Sequence, residues 1–298
     1  MRIFVAGAAG QVARALEESA TATGRTLATF GRPGFDLTDS ALVRTSLSAF
    51  APDLVINAAA WTAVDRAETE RDAAWALNAT GPGQLSELCH GRRIPIIHLS
   101  TDYVFAGDKP EPYVETDPVA PSGVYAESKL AGERAVAAAN PRHLILRTAW
   151  VHSAVGANFP KTMIRLAETR DEVGVVADQQ GSPTYAPDIA GALLAVADRI
   201  GSDPTGADWG VYHLTSSGSC VWASFAERVF ARTAPIGMPS ARVRRITTAE
   251  FPTPVRRPAN SRLDCSKLAS RFGVTLPPWE SGVDRCVERL AAERGMQL

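Results

Sequence analysis

Metal and disulfide chemistry have little to work with in this chain. Its four cysteines, Cys89, Cys220, Cys265 and Cys286, lie far apart with no C-x-x-C pair, and the five histidines are equally dispersed. That spacing fits isolated, reduced thiols better than a disulfide frame or a zinc site. No H-E-x-x-H and no G-x-S-x-G occurs, so neither metal-assisted nor serine hydrolysis has a motif behind it. An excess of one charge is also missing: the net charge is -1 and the pI is near 6.5. No global field therefore draws the chain to nucleic acid or to an anionic membrane, and neither is expected as a partner. The longest apolar runs, such as GALLAVA around Leu193, fall well short of the roughly 20 residues a membrane helix needs. Met1 leads directly into a strand-like run without a basic segment and cleavage site, so no secretory signal is expected and the protein is expected in the cytoplasm.

What is present is an ordinary core-forming composition, 298 residues of which 45% are hydrophobic, enough for one large domain or a domain with a lobe. Short β-branched runs alternate with longer amphipathic or alanine-rich stretches, the pattern of an α/β fold with a parallel sheet covered on both faces. Strands are predicted at Arg2 to Ala6, Arg25 to Phe30, Leu54 to Asn57, Ile94 to Ser100 and Leu144 to Arg147. Helices are predicted at Gln11 to Thr23, Ser40 to Phe50 and about Glu70 to Cys89, the last interrupted by Gly81 and Pro82. A further helix carries Tyr125 and Lys129.

The first loop, Gly7 to Ala13, follows a strand and opens a helix, which is the context a Rossmann-type dinucleotide fingerprint requires. Gly7 would permit the tight turn, Gly10 would let a pyrophosphate approach the backbone, and the amides of Gln11 and Val12 open the helix to its charge. Where the second strand ends, Arg32 stands in place of the acidic residue common at NAD-specific sites and points to a 2′-phosphate, hence NADPH with NADH possible. Asp36 and Leu37 would flank the adenine. Ala58, Ala59 and Ala60, with Thr62 beyond them, offer small side chains where a flat cofactor must lie against the backbone. Tyr125 and Lys129 form a Y-x-x-x-K pair, one helical turn apart on one face. A neighbouring positive charge would lower the phenol toward neutral pH and so ease proton transfer. Thr101, at the carboxyl end of the IPIIHLS strand, can donate to a substrate carbonyl. Any helix with Tyr and Lys produces the spacing, but here it follows a dinucleotide loop and a strand-end hydroxyl in order.

That combination resembles the extended short-chain dehydrogenase/reductases. The blocks NAAAWTAVDRAE, STDYVF, VYAESKLAGE, LRTAWV, NFPKTMIRLA, DQQGSPTYAPDIA, GVYHLTSSGS and RRPANSRLDCSKL resemble, nearly end to end, the signature blocks of the dTDP-4-dehydrorhamnose reductase family. The resemblance implies a Rossmann-type doubly wound parallel sheet over residues 1–152 and a smaller C-terminal α/β substrate lobe over 153–298. Segments around 184–200 and 210–216 are expected to return to the first unit. It implies reduction of the C4 ketone of a dTDP-sugar to dTDP-L-rhamnose. Tyr125 would be the general acid, Lys129 its tuner and a grip on the nicotinamide ribose, and Thr101 the orienter of the carbonyl. Asp102 and Trp150 are implied as substrate contacts, with Asn158 and Lys161 as further candidates. From Ser240 to Arg262 six arginines face one acidic residue, Glu250, and Arg256 or Arg257 would clamp the diphosphate.

Two departures limit the transfer. Trp61 occupies a position where relatives often carry another aromatic residue or histidine. Some relatives dimerise through magnesium held by acidic residues, one from the first helix; Ala15 cannot ligate, and no metal is expected. The chain is expected as a monomer or homodimer. Two alternatives stay open: a reductase of another dTDP-4-keto-deoxysugar, and a non-catalytic nucleotide-binding regulatory subunit.

Overall fold

The computed structural model describes residues 1–203 and 207–296. The first half runs β1 (Ile3–Ala6), α1 (Gln11–Thr23), β2 (Leu27–Phe30), α2 (Ser40–Phe50), β3 (Leu54–Asn57), the short helices α3 (Val64–Ala67) and α4 (Arg71–Trp75), a π-helical turn (Ala76–Thr80), α5 (Gly81–His90), β4 (Ile96–Thr101), α6 (Val124–Ala139) and β5 (His143–Thr148). The second half is more broken. It runs β6 (Val151–His152), α7 (Phe159–Ala167), β7 (Glu172–Val176), β8 (Gln180–Gly181), β9 (Thr184–Tyr185), α8 (Ala186–Ser202), β10 (Gly210–His213), β11 (Ser216–Ser217), β12 (Cys220–Val221), α9 (Trp222–Thr233), β13 (Arg242–Ile246), α10 (Ser266–Phe272), β14 (Leu276–Pro278) and α11 (Trp279–Glu293).

Strands β10, β5, β4, β3, β1 and β2 lie side by side in that order, and every neighbouring pair is parallel. All residues of β1 and β3 are buried, as parallel strands covered on both faces must be. Because successive side chains alternate across a strand, Ile3 and Val5 meet Leu16 of α1 and Ile189, Leu193 and Val196 of α8 on one face. Phe4 and Ala6 meet Phe35, Val43, Leu47 and Leu85 on the other. Each such fully buried side chain contributes roughly 1.5–3 kcal/mol. A separate apolar cluster from α7, β7, α9 and α11, including Val175, Phe225, Val229, Val283 and Val287, builds the second core. The chain places β2 on one side of β1 and β3 on the other, so a crevice opens at the carboxyl ends of β1 and β3, the place where open α/β sheets take ligands.

Most strand ends shift by one or two residues from expectation, and two differences have a visible cause. The sheet takes Leu27 rather than Arg25 as the start of β2, and Arg25 instead forks onto Asp198 of α8 at 2.5 and 2.7 Å. The helical path from Arg71 to His90 is not broken at Gly81 and Pro82. Pro82 falls in the first turn of α5, where its missing N–H costs little, and the irregularity is taken up just before it by the π-helical turn.

That turn is pressed against α6. A Cβ on Gly132 would lie 2.0 Å from the carbonyl oxygen of Asn78, so only glycine allows the approach. The Asn78 side chain then accepts from the backbone N–H of Trp61 at 2.8 Å and donates to the Trp61 carbonyl and the Ser128 hydroxyl, both at 3.1 Å. Gly132→Ala should therefore destabilise the fold by ~3 kcal/mol or more, read as a lower urea midpoint. A midpoint equal to that of the parent would mean that the two segments do not pack this closely.

Candidate active site

Eight of the residues expected around a dinucleotide converge. Gly7, Gly10, Arg32, Asp36, Leu37, Ala58, Ala59 and Ala60 line one cavity of about 250 Å³ at the carboxyl ends of β1 and β3. Gly7 has φ +112, and a Cβ there would come within 3.1 Å of the Ala59 nitrogen, so the loop can pass the β3 end only without a side chain. Gly10 starts α1, with no side chain capping its first amides and nothing within 4 Å of where its Cβ would be. Open space therefore adjoins unpaired helix N-terminal amides, a natural seat for a phosphate. Arg32 is exposed at the edge of the cavity. The Asp36 carboxylate is held below its usual range by the backbone and hydroxyl of Thr38, with Arg32 adding to the effect.

Other expected contacts point elsewhere. The Val12 side chain is in the core. The Gln11 side chain reaches across to the second half, its oxygen accepting from Ser153 and Asn158 at 2.9 Å each. What these two residues present to the cavity side is backbone. Thr62 is exposed and does not line the cavity.

Thr101, Asp102, Tyr125 and Lys129 gather at the carboxyl end of β4 and the start of α6. Thr101 donates to the Asp102 carboxylate at 2.9 Å, and its hydroxyl lies near enough to the Tyr125 phenol to act against the upward shift of its pKa. The Tyr125 ring stands edge-on to Tyr103, with centroids 5.6 Å apart. Lys129 is 3% exposed, and its Nζ donates to the Leu99 carbonyl at 2.7 Å. Burial dominates the electrostatics of all three titrating groups. It pushes Asp102 up to about 7, against the opposing hydrogen bond from Thr101. It pushes Tyr125 up to about 12, with the Asp102 charge acting in the same direction, and it draws Lys129 down to about 8. The expected lowering of the phenol by Lys129 is therefore not what this environment produces; desolvation outweighs it.

On the substrate side, Trp150 has φ +47, rare for a bulky residue and a mark of local constraint. Its indole stacks on Trp222 at 3.6 Å and 11° and lies so near Gly181 that a Cβ there would fall 2.4 Å from Cε2. One face of the Trp150 indole is thus covered by Trp222. Asn158 caps α7 by accepting from the Lys161 N–H and donates to Gln11, Ser153 and Val155, and the Lys161 Nζ donates to the Ala154 carbonyl. Both side chains are engaged in holding the 151–161 segment together. Arg256 is exposed. Arg257 is largely buried and donates to Asp65 at 2.7 Å.

The hydrogen-bonding roles of three residues at the site went unnoticed in the sequence. Asn57 donates to Nδ1 of the fully buried His98 at 3.0 Å and accepts from the Ala59 N–H at 3.1 Å, fixing the alanine wall of the cavity. Because Nδ1 must accept from an amide, His98 carries its proton on Nε2, and burial keeps the ring neutral, its pKa well below the usual value. An apolar strand with one histidine at its centre was the available signal. Glu68 has none, since its role depends on a contact 56 residues away. Among the described residues no three His, Cys, Asp or Glu side chains converge as a metal site, and no helix is long and apolar enough to cross a membrane.

The family model described as RmlD substrate binding domain matches residues 1–292. A dTDP-4-dehydrorhamnose reductase of Sinorhizobium fredii is 49% identical over 98% of this chain and 99% of its own. Among solved structures, a dTDP-4-dehydrorhamnose reductase of Clostridium acetobutylicum superposes with a TM-score of 0.90 at 36% identity, covering 97% of this chain and 99% of its own. Another from Bacillus anthracis, in complex with NADP, gives 0.88 at 34% identity with the same coverage.

The start of α6, and with it Tyr125, is held from outside the helix. Gly123, its first flanking residue, offers no side-chain cap; the Glu68 carboxylate instead accepts from the Val124 N–H at 2.8 Å, satisfying an otherwise orphaned amide. Glu68→Ala should lower stability by ~1 kcal/mol, as loss of an N-cap does. Glu68→Gln, whose amide oxygen still accepts, should keep most of it. Equal losses in thermal melts of the two variants would show that charge, not the hydrogen bond, is what matters.

Proposed function

The chain belongs to the dTDP-4-dehydrorhamnose reductase family, and from that premise we propose that it reduces the C4 ketone of dTDP-4-dehydro-6-deoxy-L-mannose to give dTDP-L-rhamnose. The observation that carries the reading is the clustering of the half-buried Tyr125 with Thr101, Asp102 and Lys129, all three buried and Thr101 hydrogen bonded to Asp102, at the carboxyl edge of the sheet. The cavity lined by Gly7, Gly10 and Ala58 to Ala60 fits a dinucleotide, with open space at the α1 amides and Arg32 at its edge for a 2′-phosphate. NADPH bound there supplies the hydride.

The chain's own residues handle the proton and the developing charge. The Thr101 hydroxyl and the Tyr125 phenol both address the C4 oxygen. As charge grows on it, Tyr125 gives up its proton and the Thr101 hydroxyl turns from Asp102 to donate to it, so both act most strongly on the transition state. Lys129, one turn on from Tyr125 with its ammonium fixed by Leu99, offsets the phenolate left behind. Asp102, through Thr101, orients the hydroxyl. We read 1–152 as the cofactor unit and 153–298 as mainly the substrate lobe, with β10 and α8 belonging to the former. That division is supported by the parallel pairing of β10 with β5 and by the packing of α8 on α1.

Tyr125→Phe should lower kcat by ~10²–10⁴-fold, the worth of a general acid, while leaving NADPH affinity within about twofold. The assay is NADPH consumption over a panel of dTDP-keto sugars, with product stereochemistry by NMR. Near-normal turnover by the variant removes Tyr125 from the acid role, and preference for another keto sugar removes the rhamnose assignment.

A pH limb follows from Lys129. Because burial brings its pKa down to about 8, the ammonium loses its proton on rising through that pH. The kcat/KM of the parent should then decline above pH ~8. A profile flat to pH ~10 would mean that the ammonium is not required.

A further inference from the structure

Five arginine–carboxylate pairs that link separate elements of this chain are complete forks. Arg25 with Asp198, Arg147 with Glu133, Arg228 with Asp284, Arg285 with Asp188 and Arg289 with Glu18 each make two parallel hydrogen bonds. Arg257 and Asp65 do not. Only Nη2 to Oδ2 is made, at 2.7 Å, while Arg257 Nη1 and Asp65 Oδ1 are both buried without a partner. A buried donor and a buried acceptor on the same pair, each left unmade, cost free energy that the complete fork would recover.

The half-made pair stands beside the site. Its two charges act with opposite sign on the Tyr103 phenol, whose ring packs edge-on against Tyr125. Asp65 belongs to α3, in the block that continues from the cavity wall at Ala58 to Ala60, whereas Arg257 comes from the far end of the chain, so the pair spans the two halves. A guanidinium with one free, buried N–H pair at such a place is shaped for a second anion.

We propose that Asp65 is the resident counter-ion of Arg257 and sets the site's affinity for a nucleoside diphosphate by competing with it for that guanidinium. This rests on Arg257 being a ligand of the substrate diphosphate. The diphosphate either displaces Asp65 or binds Nη1 beside it. In the first case it must break a carboxylate bond, and in the second it lies next to a like charge; both weaken binding of the dianion. Asp65 therefore keeps the arginine in place between turnovers and limits how tightly a nucleoside diphosphate is held.

The test is calorimetric titration of the full chain with dTDP and, separately, thymidine. Asp65→Asn, which keeps the size and an acceptor but removes the charge, should bind dTDP about threefold to tenfold more tightly than the parent and thymidine equally. Arg257→Ala should weaken dTDP binding, and Asp65→Ala guards against the asparagine preserving the bond. Unchanged or weaker dTDP binding in both Asp65 variants, with Arg257→Ala still impaired, overturns the competition alone. No loss in Arg257→Ala overturns the assignment of the diphosphate to Arg257, and the competition with it. Tighter thymidine binding in Asp65→Asn also counts against it, because the effect would then not lie at the diphosphate. The reductase assignment is judged independently by the keto-sugar assay.

Discussion

The site depends on how α6 is held, because this helix turns polar side chains inward and each has to be answered there. Lys129 is met by the Leu99 carbonyl, Ser128 by Asn78 and Glu133 by Arg147 in a pair whose side chains are only 4% and 5% exposed. A buried ion pair contributes little net stability, since desolvation consumes much of its attraction, but breaking one partner is costly. The Glu133–Arg147 fork therefore acts chiefly as a register mark: α6 can sit on β5 only where both groups are satisfied. Gly132 sets the depth of the helix, and Glu68 fixes its first turn. Tyr125 inherits its position from all of these contacts.

The sheet order brings that helix to the cofactor crevice. β1 and β3 lead into Gly7 and Ala58, and β4, next in the sheet, ends at Thr101, so the Gly7–Gly10 loop, the alanine wall and the Thr101–Tyr125 group share one edge. Helix α8 packs on α1 and β10 joins the sheet beside β5 before the chain goes on to α9 and α11 of the second core. Trp150, in its left-handed conformation, marks the point where β5 gives way to that second part. Strain at such a junction persists only when the surroundings over-determine it, and here Trp222 and Gly181 do so.

Much of this was legible in the residues. Strands β1 and β3 and the α1 and α2 helices follow directly from periodicity, and the Gly7 to Gly10 loop carries its own geometric reason. Tyr125, Lys129 and Thr101 were visible by spacing and by strand-end position. The π-helical turn before Pro82 was not, because it is imposed by close packing on Gly132, a tertiary constraint with no local trace. The commitments of Gln11 and Asn158 to each other were hidden for the same reason, being separated by 147 residues. Nor did spacing reveal the direction of the Tyr125 shift: a Y-x-x-x-K pair states which charge is near but not how much water is gone.

The loss of water also governs the proton itself. Burial moves Asp102 and Tyr125 up and Lys129 down, so in each case the uncharged form is favoured. A phenol at about 12 is a weaker donor than one in water, yet it remains a stronger acid than an alcohol, whose hydroxyl lies near the ~15.7 of water. In the proposed role of Tyr125, transfer to a developing alkoxide is thus still downhill, and little of the driving force is wasted on an acid that would ionise before the ketone arrives. The burden shifts to the phenolate left behind, which the same dry surroundings penalise. A single cation one helical turn away, fixed by a backbone carbonyl rather than by a neutralising carboxylate, is the simplest way to bear it. That explains why the Lys129 ammonium is directed at Leu99 while Glu133 is given to Arg147.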